Sequence, residues 1–182
     1  LTPTPTSTPT PEPTGTPTEP VKWLQPPNMT DGFDVLSFES PTTGVIVADD
    51  WYCSDGLPIV HIRWWGSYPG WLEDTSRPVP PPPADIHPFA FRLMWFTYTH
   101  PPEKYSMPGE LIHEEICTVY SENWYGAVPR WNRPDKWEHE FVYDQDLEIP
   151  WPQERDTMYF LAIQAIYPAG VAIPPVVWGW KN

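Results

Sequence analysis

The sequence predicts an all-β protein: an antiparallel β-sandwich of jelly-roll-like form, preceded by an extended Thr/Pro-rich polyproline II stalk. Three observations predict it. Beyond residue 20, short apolar runs recur between clusters of Pro, Gly, Asp and Asn, the rhythm of strands joined by turns. No run sustains the 3.6-residue period of a long amphipathic helix. The opening LTPTPTSTPTPEPTGTPTEP holds no Val, Ile, Phe, Tyr or Trp, so it has almost no apolar surface to set against the entropy of ordering.

Residues 1–20 therefore read as a stalk or linker, and residues 21–182 as one β domain. Pro at positions 3, 5, 9, 11, 13, 17 and 20 fixes φ and pushes each preceding residue toward extended geometry. Such a segment runs as a stiff rod at roughly 3.1 Å per residue. Hydroxyls on an extended backbone are open to transferases, so Thr2, Thr4, Thr6, Ser7, Thr8, Thr10, Thr14, Thr16 and Thr18 are candidate O-glycosylation sites. An unmodified interdomain linker has the same composition.

The strands are expected at Val21–Leu24, Phe33–Phe38, Val45–Asp50, Ile59–Trp65, Phe89–Thr99, Leu111–Tyr120, Glu140–Asp144, Met158–Tyr167 and Val176–Trp180. Turn residues separate them at Pro41–Gly44, Ser54–Gly56 and Pro108–Gly109. The Phe89–Thr99 and Met158–Tyr167 runs are apolar on both faces and belong centrally in their sheets. Leu111–Tyr120 mixes carboxylates with apolar residues, the pattern of a strand with one wet face. RPVPPPP, from Arg77 to Pro83, is a rigid surface loop, because Pro supplies no ladder hydrogen bond.

A formal charge of −14, with ten Lys and Arg and no basic cluster, argues against nucleic acid and anionic membrane surfaces as partners. Membrane insertion is not expected, since Pro168, Pro174 and Pro175 interrupt the longest apolar stretch. The chain begins with Leu1 and reads as a mature or excised portion of a longer product. Cys53 and Cys117 are expected to form one disulfide, whose loop of about 65 residues would contribute roughly 4 kcal/mol; two buried thiols are the other reading. A disulfide, a Thr/Pro stalk and the triplet Asn28-Met29-Thr30, an N-glycosylation acceptor at Asn28, all point to an extracellular or cell-surface location.

The segments VKWLQPP, VADDWYCSDGLPIVHIRWWGSYPGW and VVWGWKN resemble an uncharacterised domain family of secreted, multidomain bacterial surface proteins. Ala48–Cys53 and Ile62–Tyr68 carry it most specifically, and it covers about Val21 to Lys181. The resemblance implies a mostly β fold in an exported protein and carries no established activity. The family pattern runs on beyond the terminal Trp-Gly-Trp-Lys element, which suggests a unit of a longer array. Units joined head to tail would create a second acceptor triplet at Asn182-Leu1-Thr2.

No catalytic residues are expected, and the protein is not read as an enzyme. Glu114 and Glu115 are neighbours on one strand and point to opposite faces, as do Asp49 and Asp50, so neither pair spans a glycosidase cleft. Asp55, Asp144 and Asp146 are further carboxylates whose partners would have to come from other strands. His61, His87, His100, His113 and His139 lack metal-ligand spacing, and no cofactor is expected. Asp49, Asp50, Asp55 and Gly56 could bring hard oxygens together around a structural calcium, or make a polar turn.

Aromatic content is the unusual quantity: twelve Trp, nine Tyr and seven Phe. They either fill the core edges or present ring faces to sugars or protein. His61, Arg63 and Trp65 share one strand face and, with Trp71 and Trp124, form the candidate ligand or subunit contact. Two function classes follow. One is a structural extracellular protein, a glycosylated subunit or repeat of a cell-surface fibre, sheath or adhesive array, whose partners are covalent glycans and copies of itself. The other is a carbohydrate-binding module tethered by the Thr/Pro linker.

Overall fold

In a run such as Phe91-Arg-Leu-Met-Trp95, every second side chain turns the same way. Phe91, Leu93 and Trp95 have no solvent exposure, and their common face is the centre of the protein. The computed structural model describes residues 21–40, 44–75, 77–100, 105–130, 133–168 and 172–181. The Thr/Pro stalk and its nine candidate hydroxyls lie outside the described residues.

Among the described residues there are nine strands: β1 (Asp34–Leu36), β2 (Ala48–Cys53), β3 (Ile59–Ser67), β4 (Ala90–Thr99), β5 (Met107–Cys117), β6 (Ser121–Arg130), β7 (Arg133–Trp151), β8 (Thr157–Ile166) and β9 (Gly179–Lys181). They form two antiparallel sheets, one ordered β1-β9-β3-β7-β6 and the other β2-β8-β4-β5. No helix occurs among the described residues. The all-β expectation holds, and β4 and β8 are the central strands of their sheet, as their two-faced apolarity requires.

The inner faces meet in one core. Trp64 of β3 packs edge-on against Phe91 of β4 at 5.3 Å between ring centroids, and Trp151 at the end of β7 stacks on Trp95 of β4 at 5.5 Å. Trp64 also stacks on its cross-strand partner Tyr143 at 5.5 Å. This face-to-face arrangement fits a β-sandwich.

Several expected boundaries are corrected. Val21–Leu24 is not a strand: Val21 and Leu24 are exposed, and Lys22 fastens the segment by side-chain bonds to the Leu57 carbonyl and Gln153. The Phe33–Phe38 run shrinks to β1 and the Val45–Asp50 run shifts three residues along to β2, with Phe38 and Val45 joined by one isolated bridge. β6 was not anticipated, because Gly126 and Pro129 interrupt it. As an edge strand it tolerates Pro, and a register shift between Trp124 and Gly126 accommodates the glycine. β7 is nineteen residues long where five were expected.

The disulfide is also corrected: Cys53 and Cys117 are both buried free thiols. Cys53 lies on β2 and Cys117 on β5, opposite edges of the four-stranded sheet with β8 and β4 between them. Three strand spacings of about 4.8 Å separate them by roughly 14 Å, twice the ~7 Å Cα limit for a bridge. They also sit at opposite ends, since Cys53 faces Thr157 of β8 while Cys117 faces Phe91, itself opposite Ala165.

Candidate functional site

Strand alternation places His61, Arg63 and Trp65 on the outer face of the five-stranded sheet, opposite Asp146, Asp144 and Val142 of β7. His61 bridges two carboxylates, with Nδ1 2.7 Å from Asp146 Oδ1 and Nε2 3.0 Å from Asp144 Oδ1. Arg63 Nε donates to the same Asp144 oxygen at 2.7 Å. The indole of Trp65 meets the exposed Tyr125 ring edge-to-face at 6.0 Å. The result is a polar, half-open strip with an aromatic corner.

The other two expected contacts are elsewhere. Trp71 packs on Tyr68 and Phe141 at 6.1 and 6.2 Å and belongs to the core margin. Trp124 is exposed, but the Arg77 guanidinium sits 3.8 Å from its ring centroid and covers one face. It pairs with Phe141, on the core side of β7, and so does not share the face of Trp65. Asn28 is exposed; its side-chain oxygen accepts from the Thr30 and Asp31 amides, and its amide donates to Asp31 at 2.6 Å. The calcium expectation at Asp49, Asp50 and Asp55 finds no converging geometry: Asp49 and Asp50 are successive strand residues, and Asp55 pairs with Lys22 at 2.9 Å.

A second group, not anticipated from the sequence, draws residues from all five strands of the same sheet. Asp34 (β1), Lys181 (β9), Ser67 (β3), Glu138 and Glu140 (β7) and Arg130 (β6) gather at one end of the outer face. The chain ahead of β1 crosses this region: Lys181 Nζ donates to the Gly32 carbonyl at 2.9 Å, and the Met29 methyl lies against Gly126. Burial is deep, with the side chains of Asp34, Glu140 and Lys181 entirely removed from solvent. Lys181 Nζ is 3.1 Å from Glu140 Oε1 and 3.5 Å from Asp34 Oδ2, and Arg130 Nε is 3.0 Å from Glu138 Oε1.

Electrostatics at this group are set by burial. Desolvation, then repulsion from Glu140, pushes the Asp34 carboxyl up to about 8, against the pull of Lys181. Desolvation and Asp34 push Glu138 up to about 7, and desolvation raises Glu140. The expected strand starts at Glu140, which leaves out Glu138, whereas β7 starts at Arg133. The signal was present in Trp137-Glu-His-Glu-Phe141, whose alternate residues put two carboxylates on one face.

A third group lines an open cavity of about 480 Å³ walled by Pro81, Pro82, Pro88 and Phe89. Of its lining, His87 Nε2 lies 3.4 Å from Glu122 Oε2, which also accepts from the buried Tyr68 hydroxyl at 2.7 Å. The interaction of His87 with the Glu122 carboxylate raises the His87 pKa above its ordinary value, against the effect of burial.

No curated protein and no solved structure matches the chain. Residues 21–182, which contain every strand described above, match a family described as a domain of unknown function, DUF7901, and the chain belongs to that family.

Proposed function

We propose that the chain is a rigid structural module of an exported cell-surface protein, a glycosylated subunit or repeat of a fibre, sheath or adhesive array. The observation that carries this reading is where the aromatic rings go. Trp51, Trp64, Trp95, Trp151 and Trp178 are buried, and they interlock with Phe91, Tyr143 and Tyr159 across both sheets. Rings used in this way stiffen a domain; they do not present a platform. The strand orders β1-β9-β3-β7 and β2-β8-β4-β5, with β6 added at one edge, support the reading of a jelly-roll-like sandwich. With the cysteines free, the Thr/Pro segment and the exposed Asn28 turn are what support the exported location and the glycans.

Negative-stain imaging and sedimentation of native material test the reading. Fibres or regular arrays, with an intact mass well above that calculated from sequence, are expected; bare monomers at high concentration sink it. The His61, Arg63, Trp65 and Tyr125 strip favours a second reading, a carbohydrate-binding module. Titration with soluble polysaccharides would then give heat that Trp65→Ala abolishes, and silence across a broad panel removes that reading.

A further inference from the structure

We propose that Asp34, Glu138 and Glu140, together with Ser67, form a binding site for one hard divalent cation of the calcium type. Each carboxylate offers one oxygen, and the three lie within 4.8 Å of one another. The group is not surface acidity, because Asp34 and Glu140 side chains are wholly buried and Glu138 is 8% exposed.

The orphaned oxygens supply an independent indication. Ser67 is fully buried, directly opposite Glu140 on the neighbouring strand and therefore on the same face, and its Oγ has no hydrogen-bond partner among the described residues. Asp34 Oδ1 and both Glu140 oxygens are likewise buried without one. Lys181 Nζ lies 3.1 Å from Glu140 Oε1 and donates to the Gly32 carbonyl and to Asp34 Oδ2. The ammonium thus reaches one oxygen of Asp34 and one of Glu140, and Asp34 Oδ1 and Glu140 Oε2 are left without a donor among the described residues.

Charge points the same way. Three carboxylates face Lys181 and Arg130, and Arg130 is shared with Glu73, which its Nη1 reaches at 2.6 Å. With all three ionised, at least one negative charge would be left uncompensated in a buried setting, a strongly destabilising arrangement that either a bound cation or a proton relieves. The donors are all oxygen, which selects calcium or magnesium over softer metals. An uneven set of protein oxygens beside a fixed ammonium suits the adaptable shell of calcium better than the octahedron of magnesium. A cavity of about 310 Å³ lined by Asp34, Glu138, Arg130, Phe33, Pro69 and Pro175 provides the way in.

The test is calorimetric titration of the chelator-treated full chain with calcium chloride, with thermal unfolding measured in parallel. One calcium per chain is expected, with Kd on the order of 10⁻⁵ to 10⁻³ M, and a Tm that rises with calcium. Glu138→Gln should weaken binding at least tenfold, while Glu114→Gln, an equal charge loss on the other sheet, leaves it unchanged. Absence of both heat and Tm shift in the wild-type protein at about 10 mM calcium, tenfold above the weakest Kd expected, overturns the proposal; the missing charge is then a proton. Binding that survives Glu138→Gln unaltered overturns it as well, because the cation must then sit elsewhere. If the variant fails to fold, the wild-type titration still decides.

Discussion

At Gly66 the absence of a side chain is a packing requirement. A Cβ there would fall against the Gly179 carbonyl and 2.5 Å from the Trp178 ring. Gly66 faces Trp180 on one side and Phe141 on the other, so no neighbour is a flexible chain end that could yield. Gly66→Ala should cost about 3 kcal/mol, the upper part of the overpacking range, read as a lowered denaturation midpoint with unchanged m-value. The two thiols carry a second prediction. Cys117 is pushed up to about 12 by burial and by the nearby Glu115 charge, so it is protonated and inert at neutral pH. Ellman titration should find two thiols per chain in denaturant and almost none in the native protein, and a reducing agent should leave Tm unmoved. Residue by residue, the candidate site was only partly legible. His61, Arg63 and Trp65 follow from period-two alternation, but Asp34, Ser67, Glu140 and Lys181 lie on four strands whose order in the sheet no local pattern discloses.

At the scale of elements, β4 shows how much one strand carries. Phe91 touches Trp64, Tyr120, Tyr143 and Trp178 at ring separations of 4.9 to 5.3 Å, whereas Phe89, just ahead of the strand, is 61% exposed. Phe91→Ala should destabilise by about 3–5 kcal/mol, and Phe89→Ala by less than ~0.5 kcal/mol. The pattern Phe89-Ala-Phe-Arg-Leu-Met-Trp95 made the strand readable but not the difference between its two phenylalanines, because only pairing shows where the sheet ends. β6 was illegible for a related reason. Its Gly126 and Pro129 are breakers in isolation and become acceptable only at an edge, a property of the sheet and not of the segment. The contact of β6 with the loop before β4 titrates. His87, facing Glu122 with Tyr68 and Tyr120 around it, has a raised folded pKa, so its contribution is complete below the unfolded value near 6.5 and is lost as pH rises through the folded pKa. The Tm difference between wild type and His87→Gln should therefore shrink from pH 5.5 to pH 8.5. Other buried carboxyls form a background common to both proteins, and a difference that is flat or grows with pH contradicts the pairing.

The whole molecule is governed by a charge of −14 over a chain with ten basic residues. Copies of such a chain repel each other over about 30 Å at 10 mM salt and over only about 3 Å at 1 M. A module built to assemble must overcome that field through contact surface, since long-range attraction is not offered by this charge distribution. Apolar residues for contact exist on the edge strand β5, where Met107, Leu111, Ile112 and Ile116 are exposed between Glu110, Glu114 and Glu115. The structural reading therefore makes a directional prediction: the weight-average mass in sedimentation equilibrium should rise with sodium chloride from about 10 mM to about 1 M, as screening removes the repulsion. Dissociation on adding salt would show that ion pairs hold the copies together, contrary to this account. A mass that stays monomeric throughout, at high protein concentration, would remove self-assembly itself and shift the weight to the His61–Arg63–Trp65 strip as a binding surface.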